Sequence, residues 1–314
     1  MSKRIAILDL GTNTFHILIA EVLNDSFAQV YKEKICVKIG ENGISFGFIN
    51  KDAEERAIKA MTYFAQVIKD HQVTEIHTNA TSAFRNAING VELATKIEAA
   101  TGLKVNIISG QKEAELIYYG VQKALNIGKE TSMILDIGGG SNEFIICNDE
   151  QIFWKGSFEI GAQRLVDIFH EHDPILKEDL VKMDLFLENQ LKELIQATRK
   201  YKPSVLIGAS GAFDTIGEIF RQENGIKRNG ETEFRIPIPT FKQIHADVIE
   251  KNRAERMLIP GMIEMRVEMI VVASCLINFV IKKCNIKNLR TSAYSLKEGI
   301  LFTVFNQVQK DCEV

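Results

Sequence analysis

Two short segments of the chain each place an aspartate just before a glycine turn. Asp9 precedes Gly11-Thr12-Asn13-Thr14, and Asp136 precedes Gly138-Gly139-Gly140-Ser141. Apolar runs flank each segment, which predicts two strands joined by a tight turn. Glycine lets such a turn approach a ligand closely, and its N–H groups form a nest for anions, most often phosphate. We therefore predict two phosphate-binding loops, at residues 11–14 and 138–141, in two similar halves of the chain.

The second segment also carries a candidate metal site. Asp136 ends one strand of its hairpin and Glu143 begins the next, so the turn brings the two carboxylates together. Oxygen ligands of this kind suit Mg²⁺ or Mn²⁺. An aspartate that caps the turn beside an exposed glutamate is the alternative. His16 takes the place of Glu143 in the first segment, so we expect that loop to bind mainly phosphate, with Asp9 as a further candidate metal ligand.

Glu113 is the candidate general base. Ser109 is predicted to cap a helix whose first turn contains Glu113, near the positive end of the helix dipole. A carboxylate held there, at the end of a sheet, can orient and deprotonate a water. A glutamate that only stabilises the helix end is the alternative.

Arg85 is a candidate phosphate ligand, because it follows another strand-to-helix turn and a guanidinium can bind phosphate through two hydrogen bonds. A solvated helix arginine is the alternative. Residues 208–214 form a matching turn in the second half, at nearly the same offset as the two glycine loops. Ser210 and Gly211 of that turn complete the predicted phosphate-binding set.

Length and composition limit the possible function classes. The chain has 314 residues, enough for two domains, and 46% hydrophobic and 25% charged residues, as in soluble globular proteins. Its net charge of −3 argues against nucleic acid or an anionic membrane as a partner. The longest apolar run, 269–281, is too short to cross a bilayer. Five cysteines without a C-x-x-C pair indicate free thiols in a reducing compartment, and hence a cytoplasmic protein.

The elements that must position these residues repeat in the two halves. Each half begins with a meander of strands, the first with a turn at Asn24-Asp25, and continues with alternating helices and strands. This order predicts mixed sheets with helices on their faces. A single helix is predicted over 178–200 and a polar exposed loop over 222–239. We expect the two glycine loops to face a shared cleft.

The chain resembles the exopolyphosphatase/guanosine pentaphosphate phosphohydrolase (Ppx/GppA) family of bacterial phosphatases. The matching segments run in order from residue 5 to about 302, and they are 7–16, 80–87, 108–121, 136–143, 156–165, 266–268 and 296–300. The resemblance implies an α/β fold of the actin, sugar-kinase and Hsp70 superfamily, with two ribonuclease H-like domains on either side of a cleft. Residues 1–122 plus 299–314 would form one domain and residues 123–298 the other, without the further HD-type domain of longer members.

The resemblance implies hydrolysis of a terminal phosphoanhydride in inorganic polyphosphate or in a guanosine penta- or tetraphosphate. Glu113 would be catalytic, Arg85 would face phosphate, and Asp136 and Glu143 would hold Mg²⁺ or Mn²⁺. A homodimer is one candidate assembly. An ATP-dependent kinase or ATPase of the same superfamily and a non-catalytic alarmone- or polyphosphate-binding regulator are the alternative functions. The chain departs from the family pattern at Lys112, Glu115, Asn142 and Glu268, which bears on substrate preference.

Overall fold

The computed structural model describes residues 3–23, 26–227 and 229–312, with the backbone alone over 308–312, so the turn predicted at residues 24–25 lies outside the described residues. The chain forms two compact units, Met1–Gly120 with Leu296–Val314, and Val121–Ser295. Each unit contains one mixed β-sheet flanked by helices. The predicted α/β fold class is therefore confirmed.

The first unit is built on a five-stranded sheet. Its strands are β1 (Arg4–Leu10), β2 (Thr14–Val22), β3 (Phe27–Cys36), β4 (Glu75–Ala80) and β5 (Asn106–Ile107). Its helices are α1 (Lys51–Asp70), α2 (Ser82–Asn86), α3 (Gly90–Thr101) and α4 (Gly110–Ala124), the last of which continues into the second unit. A 3₁₀ turn covers Ile44–Phe46. The strand order is β3-β2-β1-β4-β5, with β1 to β3 antiparallel and β4 and β5 parallel to β1.

Alternation along β1 divides its side chains between two faces. Ala6, Leu8 and Leu10 pack into the core formed with α1 and α3, whereas Ile5 and Ile7 lie on the opposite face. Asp9 continues the second set, so its carboxylate emerges at the end of a buried strand.

The second unit repeats this arrangement with one extra strand. Its strands are β6 (Ser132–Ile137), β7 (Asn142–Cys147), β8 (Ile152–Phe158), β9 (Val205–Ala209), β10 (Glu233–Ile236) and β11 (Asn288–Ser292). Its helices are α5 (Ala162–Phe169), α6 (Lys177–Gln190), α7 (Lys192–Tyr201), α8 (Gly211–Glu223), α9 (Ile238–Glu250), α10 (Arg253–Arg256) and α11 (Met269–Lys283), with a 3₁₀ turn at Glu264–Arg266. The sheet order β8-β7-β6-β9-β11-β10 equals that of the first unit with β10 added at the edge. The last helix, α12 (Leu296–Cys312), belongs to the first unit and packs on β1 and β2.

Two predictions about local structure are wrong. Residues 233–236, predicted as loop, form β10, which pairs antiparallel with β11 so that Glu233 lies opposite Ser292. An edge strand needs only one neighbour and tolerates polar residues, so its sequence resembles a loop. The helix predicted over 178–200 is two helices, because the backbone departs from helical geometry at Leu191.

Helix α11 accounts for the longest apolar run of the sequence. Its residues are buried on nearly every side in the core of the second unit. In the described part of the chain, no helix combines the length and the apolar character that crossing a membrane would need.

The described cysteine side chains, Cys36, Cys147, Cys275 and Cys284, are free thiols. Burial raises the pKa of the Cys147 and Cys275 thiols to about 12. Their neutral thiols therefore act as packing groups rather than nucleophiles.

Candidate functional site

The two glycine loops have the same local geometry. The N–H of Gly11 donates to the carbonyl of Thr14 at 3.2 Å, and the N–H of Gly138 donates to the carbonyl of Ser141 at 3.1 Å. A Cβ added to Gly138 would lie 2.7 Å from that carbonyl oxygen, so the close turn requires glycine. The loops at 11–14 and 138–141 are therefore equivalent turns, as the repeated sequence pattern predicts.

Each loop is held by backbone donors from a neighbouring segment. In the first unit the N–H groups of Val37 and Lys38 donate to Asn13 O, and Gly40 donates to Thr12 O at 3.1 Å. In the second unit the first N–H groups of α5 take this role. The three bonds run from Gly161 to Gly140, from Ala162 to Gly138 and from Gln163 to Gly139, at 3.1, 2.8 and 2.9 Å. Because their carbonyls are engaged, both loops are fixed in shape before any ligand binds.

Arg164 adds a side-chain contact to the second loop. Its Nε donates to Gly140 O at 3.0 Å, and Glu159 lies 3.7 Å from its guanidinium. Burial lowers the pKa of Arg164 from its ordinary value. Sequence reasoning did not include Arg164 in the site, although it lies in one of the segments that match the family.

The N–H groups of residues 161–163, which hold loop 138–141, are called the clamp below. Gly161 makes its closest contact with the loop. A Cβ at position 161 would overlap the backbone of Gly139 and Gly140, which cannot move without breaking the three bonds to α5. We expect Gly161→Ala to cost about 1–3 kcal/mol of stability and to displace loop 138–141.

The test of Gly161→Ala compares thermal unfolding and activity with those of Gly128→Ala. Gly128 lies in the same unit, and a Cβ there meets open space, although its positive φ makes alanine strained. Gly161→Ala should lose activity well beyond its loss of folded protein at the assay temperature, whereas Gly128→Ala should lose only stability. Equal activity losses in the two variants would contradict a special role for the clamp.

The first unit gathers its predicted residues at the carboxyl ends of its parallel strands. Asp9 lies opposite His16 on β2 and beside Asn79 on β4. Helix α2, with Arg85, follows β4, and α4, with Glu113, follows β5. The polar side chains of residues 12–14 in the glycine loop are buried. Gly11, Arg85 and Glu113 therefore share one edge of one sheet.

Glu113 is buried in the first turn of α4. The predicted cap is confirmed, since Ser109 Oγ accepts from Lys112 N at 3.2 Å. Arg85 Nη1 lies 3.0 Å from Glu113 Oε2 and also donates to Ile108 O at 3.0 Å. The guanidinium offsets the cost of burying the Glu113 charge and fixes the direction of its carboxylate.

In the second unit, Asp136 and Glu143 occupy directly opposite positions on β6 and β7. Such positions place two Cβ atoms about 4.5–5.5 Å apart on one face. Ser210 Oγ donates to Asp136 Oδ2 at 2.7 Å, and Ser295 Oγ donates to the same oxygen. Ser141 Oγ and Ser157 Oγ each donate to Glu143 Oε1 at 2.8 Å. Both carboxylates are almost fully buried in this hydroxyl-rich layer.

The donor set of this layer is chemically suited to Mg²⁺ or Mn²⁺. It offers carboxylate and hydroxyl oxygens, and among the residues that the structure describes no group of three or more His, Cys, Asp or Glu side chains is placed to enclose a metal. Mg²⁺ is commonly held by one or two carboxylates together with water and substrate phosphate. Asp136 and Glu143 fit that pattern, whereas Asp9 lies in the first unit beside His16.

Arg266 adds a positive charge near Gly211, at the carboxyl ends of the parallel strands of the second sheet. A Cβ at position 211 would overlap the guanidinium of Arg266, which therefore packs against the start of α8, next to Ser210. Sequence reasoning placed Arg266 in a matching segment but not in the site. Gly208 has a different role, because the ring of Phe213 fills the space beside it and gives this glycine a packing function.

The departures from the family pattern each have a local contact. Lys112 Nζ and Glu115 Oε1 lie 3.0 Å apart, so these two departures form one surface pair on either side of Glu113. Asn142 Nδ2 donates to Ile160 O at 2.7 Å. Glu268 pairs with Arg253 at 3.1 Å and with the buried Arg256 at 3.2 Å. None of these contacts removes a predicted catalytic or metal-binding side chain.

Comparisons with known proteins agree with this architecture. An exopolyphosphatase of Cytophaga hutchinsonii of known structure is 40% identical, with a TM-score of 0.94 over 97% of this chain and 98% of that one. A Haemophilus influenzae protein provisionally named exopolyphosphatase is 25% identical over 98% of this chain and 93% of its own length. The Aquifex aeolicus Ppx/GppA structure, at 21% identity and a TM-score of 0.80 over 99% of each chain, shares the fold. The family profile matches residues 18–307, and the chain therefore belongs to the Ppx/GppA phosphatase family.

Proposed function

We propose that this protein hydrolyses the terminal phosphoanhydride of inorganic polyphosphate and releases orthophosphate. Membership of the Ppx/GppA phosphatase family and 40% identity to an exopolyphosphatase over nearly the whole chain support a phosphohydrolase. The observation that carries the proposal is the buried Glu113 carboxylate, held by Arg85 at 3.0 Å on the sheet edge that also carries loop 11–14. A fixed carboxylate beside a phosphate-binding turn is what water attack on a phosphoanhydride requires.

Glu113 acts as the general base in this proposal. Its carboxylate accepts a proton from the attacking water, and the Arg85 guanidinium keeps it in one orientation during that transfer. Phosphoryl transfer depends mainly on positioning and on charge stabilisation, so a fixed base is more useful than a mobile one. Arg85 thus positions Glu113, and its predicted contact with phosphate remains part of the proposal.

The glycine loops bind phosphate oxygens through their backbone. N–H nests carry no net charge, which suits a chain whose net charge is −3 and whose substrate is a polyanion. Loops 11–14 and 138–141 supply these donors, with Ser210 and Gly211 beside the second loop, and Arg266 adds a positive charge there. Asp136 and Glu143 would hold Mg²⁺ or Mn²⁺, which when bound would offset charge on the phosphoryl oxygens.

Guanosine pentaphosphate is the second candidate substrate, because its terminal phosphate is joined by the same kind of anhydride. A kinase or ATPase would instead need a nucleoside pocket beside the turn at 208–211. The Phe213 ring, which packs against Gly208 in that turn, belongs to the buried core of the second unit.

A parallel phosphate-release assay on long-chain polyphosphate, guanosine pentaphosphate and ATP tests the proposal. We expect rapid release of orthophosphate from polyphosphate in the presence of Mg²⁺, and slow release from ATP. Orthophosphate release mainly from guanosine pentaphosphate would identify that nucleotide, rather than polyphosphate, as the substrate. Release from none of the three would favour a non-catalytic binding protein, and release from ATP alone would favour an ATPase.

A further inference from the structure

A separate cavity of about 490 Å³ lies at the other end of the second sheet. Ser132, Val205 and Leu289, at the start of the parallel strands β6, β9 and β11, line it. Asp136 and Ser210 lie at the carboxyl ends of these strands. A six-residue strand such as β6 spans about 17 Å. The cavity, at the amino ends of these strands, is therefore distinct from the candidate site at their carboxyl ends.

Basic side chains dominate the charge of this cavity. Lys129, Arg235, Lys287 and Arg290 line it, with Glu130 as the acidic residue among its lining. Arg290 is offset by Glu233, with its Nε 2.7 Å from Oε1 and its Nη2 2.9 Å from Oε2.

Arg235 and Lys287 are less neutralised than Arg290. Arg235 also lies 3.2 Å from Glu233, but its side chain is 80% exposed, so that pair is screened by solvent. Lys287 Nζ bonds to the neutral amide oxygen of Asn285 at 2.5 Å. The rim thus carries excess positive charge, which suits a multiply charged anion.

Ser132 gives a second, independent indication of a ligand. It is one of the residues that line the cavity, it is fully buried, and its hydroxyl has no hydrogen-bond partner among the described residues. Buried hydroxyls are nearly always paired, since an unpaired one loses its hydration without compensation. A ligand oxygen that reached Ser132 from the cavity would supply the missing partner.

We propose that this cavity binds an oligophosphate group as a second site, separate from catalysis. Three cations around an open cavity match several phosphate charges better than a single carboxylate. The group could be carried by an inorganic chain or by a nucleotide, whose base would pack on the apolar walls formed by Ile127, Ile236 and Leu289. The proposal does not depend on the hydrolase assignment, since it concerns equilibrium binding to another edge of the sheet.

Calorimetric titration with inorganic tripolyphosphate, in EDTA and in a Glu113→Gln background, tests it. We expect tripolyphosphate to bind the parent, and we expect Arg235→Gln with Lys287→Gln to weaken that binding about tenfold or more. The matched control, Lys182→Gln with Lys192→Gln, removes two charges from exposed positions of the same unit outside the cavity. It should leave tripolyphosphate binding unchanged. Unchanged binding in the first double variant, or equal loss in the control, would overturn the proposal.

Ser132→Ala and a nucleotide titration refine the test. Ser132→Ala should weaken the second site severalfold without lowering the thermal stability of the unliganded protein, because the hydroxyl has no partner to lose. Lower stability with unchanged binding would mean that the hydroxyl serves the fold, and would overturn its role. GTP that binds the second site more tightly than tripolyphosphate would identify a nucleotide as the ligand. Tighter tripolyphosphate binding would identify the inorganic chain.

Discussion

Glu113→Gln is expected to lower kcat about 10²- to 10⁴-fold, the usual cost of losing a general base. Glutamine keeps the shape of the side chain and an oxygen that can accept from Arg85 Nη1, but it cannot take the proton of the attacking water. Phosphate binding and thermal stability should therefore change little. The measurement is steady-state phosphate release from polyphosphate at saturating substrate and metal.

Glu115→Gln is the matched control for Glu113. It removes the same charge two residues further along α4, where Glu115 pairs with Lys112 on the surface. Such an exposed pair contributes only about 0–1 kcal/mol, so its loss should leave kcat almost unchanged. A Glu113→Gln enzyme within about threefold of the parent would assign Glu113 to helix capping instead.

Asp136→Asn and Glu143→Gln are each expected to raise the Mg²⁺ concentration for half-maximal activity about 10- to 100-fold. Each amide keeps one oxygen that can accept from the neighbouring serine hydroxyls, so the hydrogen-bonded layer is largely preserved while the negative charge is lost. The measurement is activity against Mg²⁺ concentration, repeated with Mn²⁺.

Asp184→Asn is the control for the metal experiment, because Asp184 is exposed on α6 of the same unit. Its Mg²⁺ curve should coincide with that of the parent. Full activity of the parent in excess EDTA would contradict the metal proposal, and so would unshifted Mg²⁺ curves for both carboxylate variants.

Local turn chemistry made the centre of each sheet predictable. The glycine loops, the hairpin register that pairs Asp136 with Glu143, and the Ser109 cap all depend on residues a few positions apart. Short-range sterics and hydrogen bonding dictate such features, and both are visible in the sequence. The duplication strengthened the prediction, because the same turn occurs in both units.

Contacts between distant segments were not predictable in the same way. Arg85 reaches Glu113, Arg164 reaches Gly140, and Arg266 packs against Gly211 only after the strands and helices have assembled. Strand β10 was missed for a related reason, since its pairing with β11 satisfies a polar segment that local propensity assigns to a loop. The resemblance marked the segments that contain these arginines, but only the fold assigns them partners.

Hydrolysis of long-chain polyphosphate in ¹⁸O-labelled water tests the central claim most directly. If an activated water attacks the terminal phosphorus, each released orthophosphate carries one solvent oxygen and the shortened chain carries none. Mass spectrometry of the orthophosphate and of the residual chain distinguishes the two positions. We predict label in the orthophosphate alone, at a rate that falls with Glu113→Gln. Label on the chain end, or no orthophosphate release at all, would contradict the account.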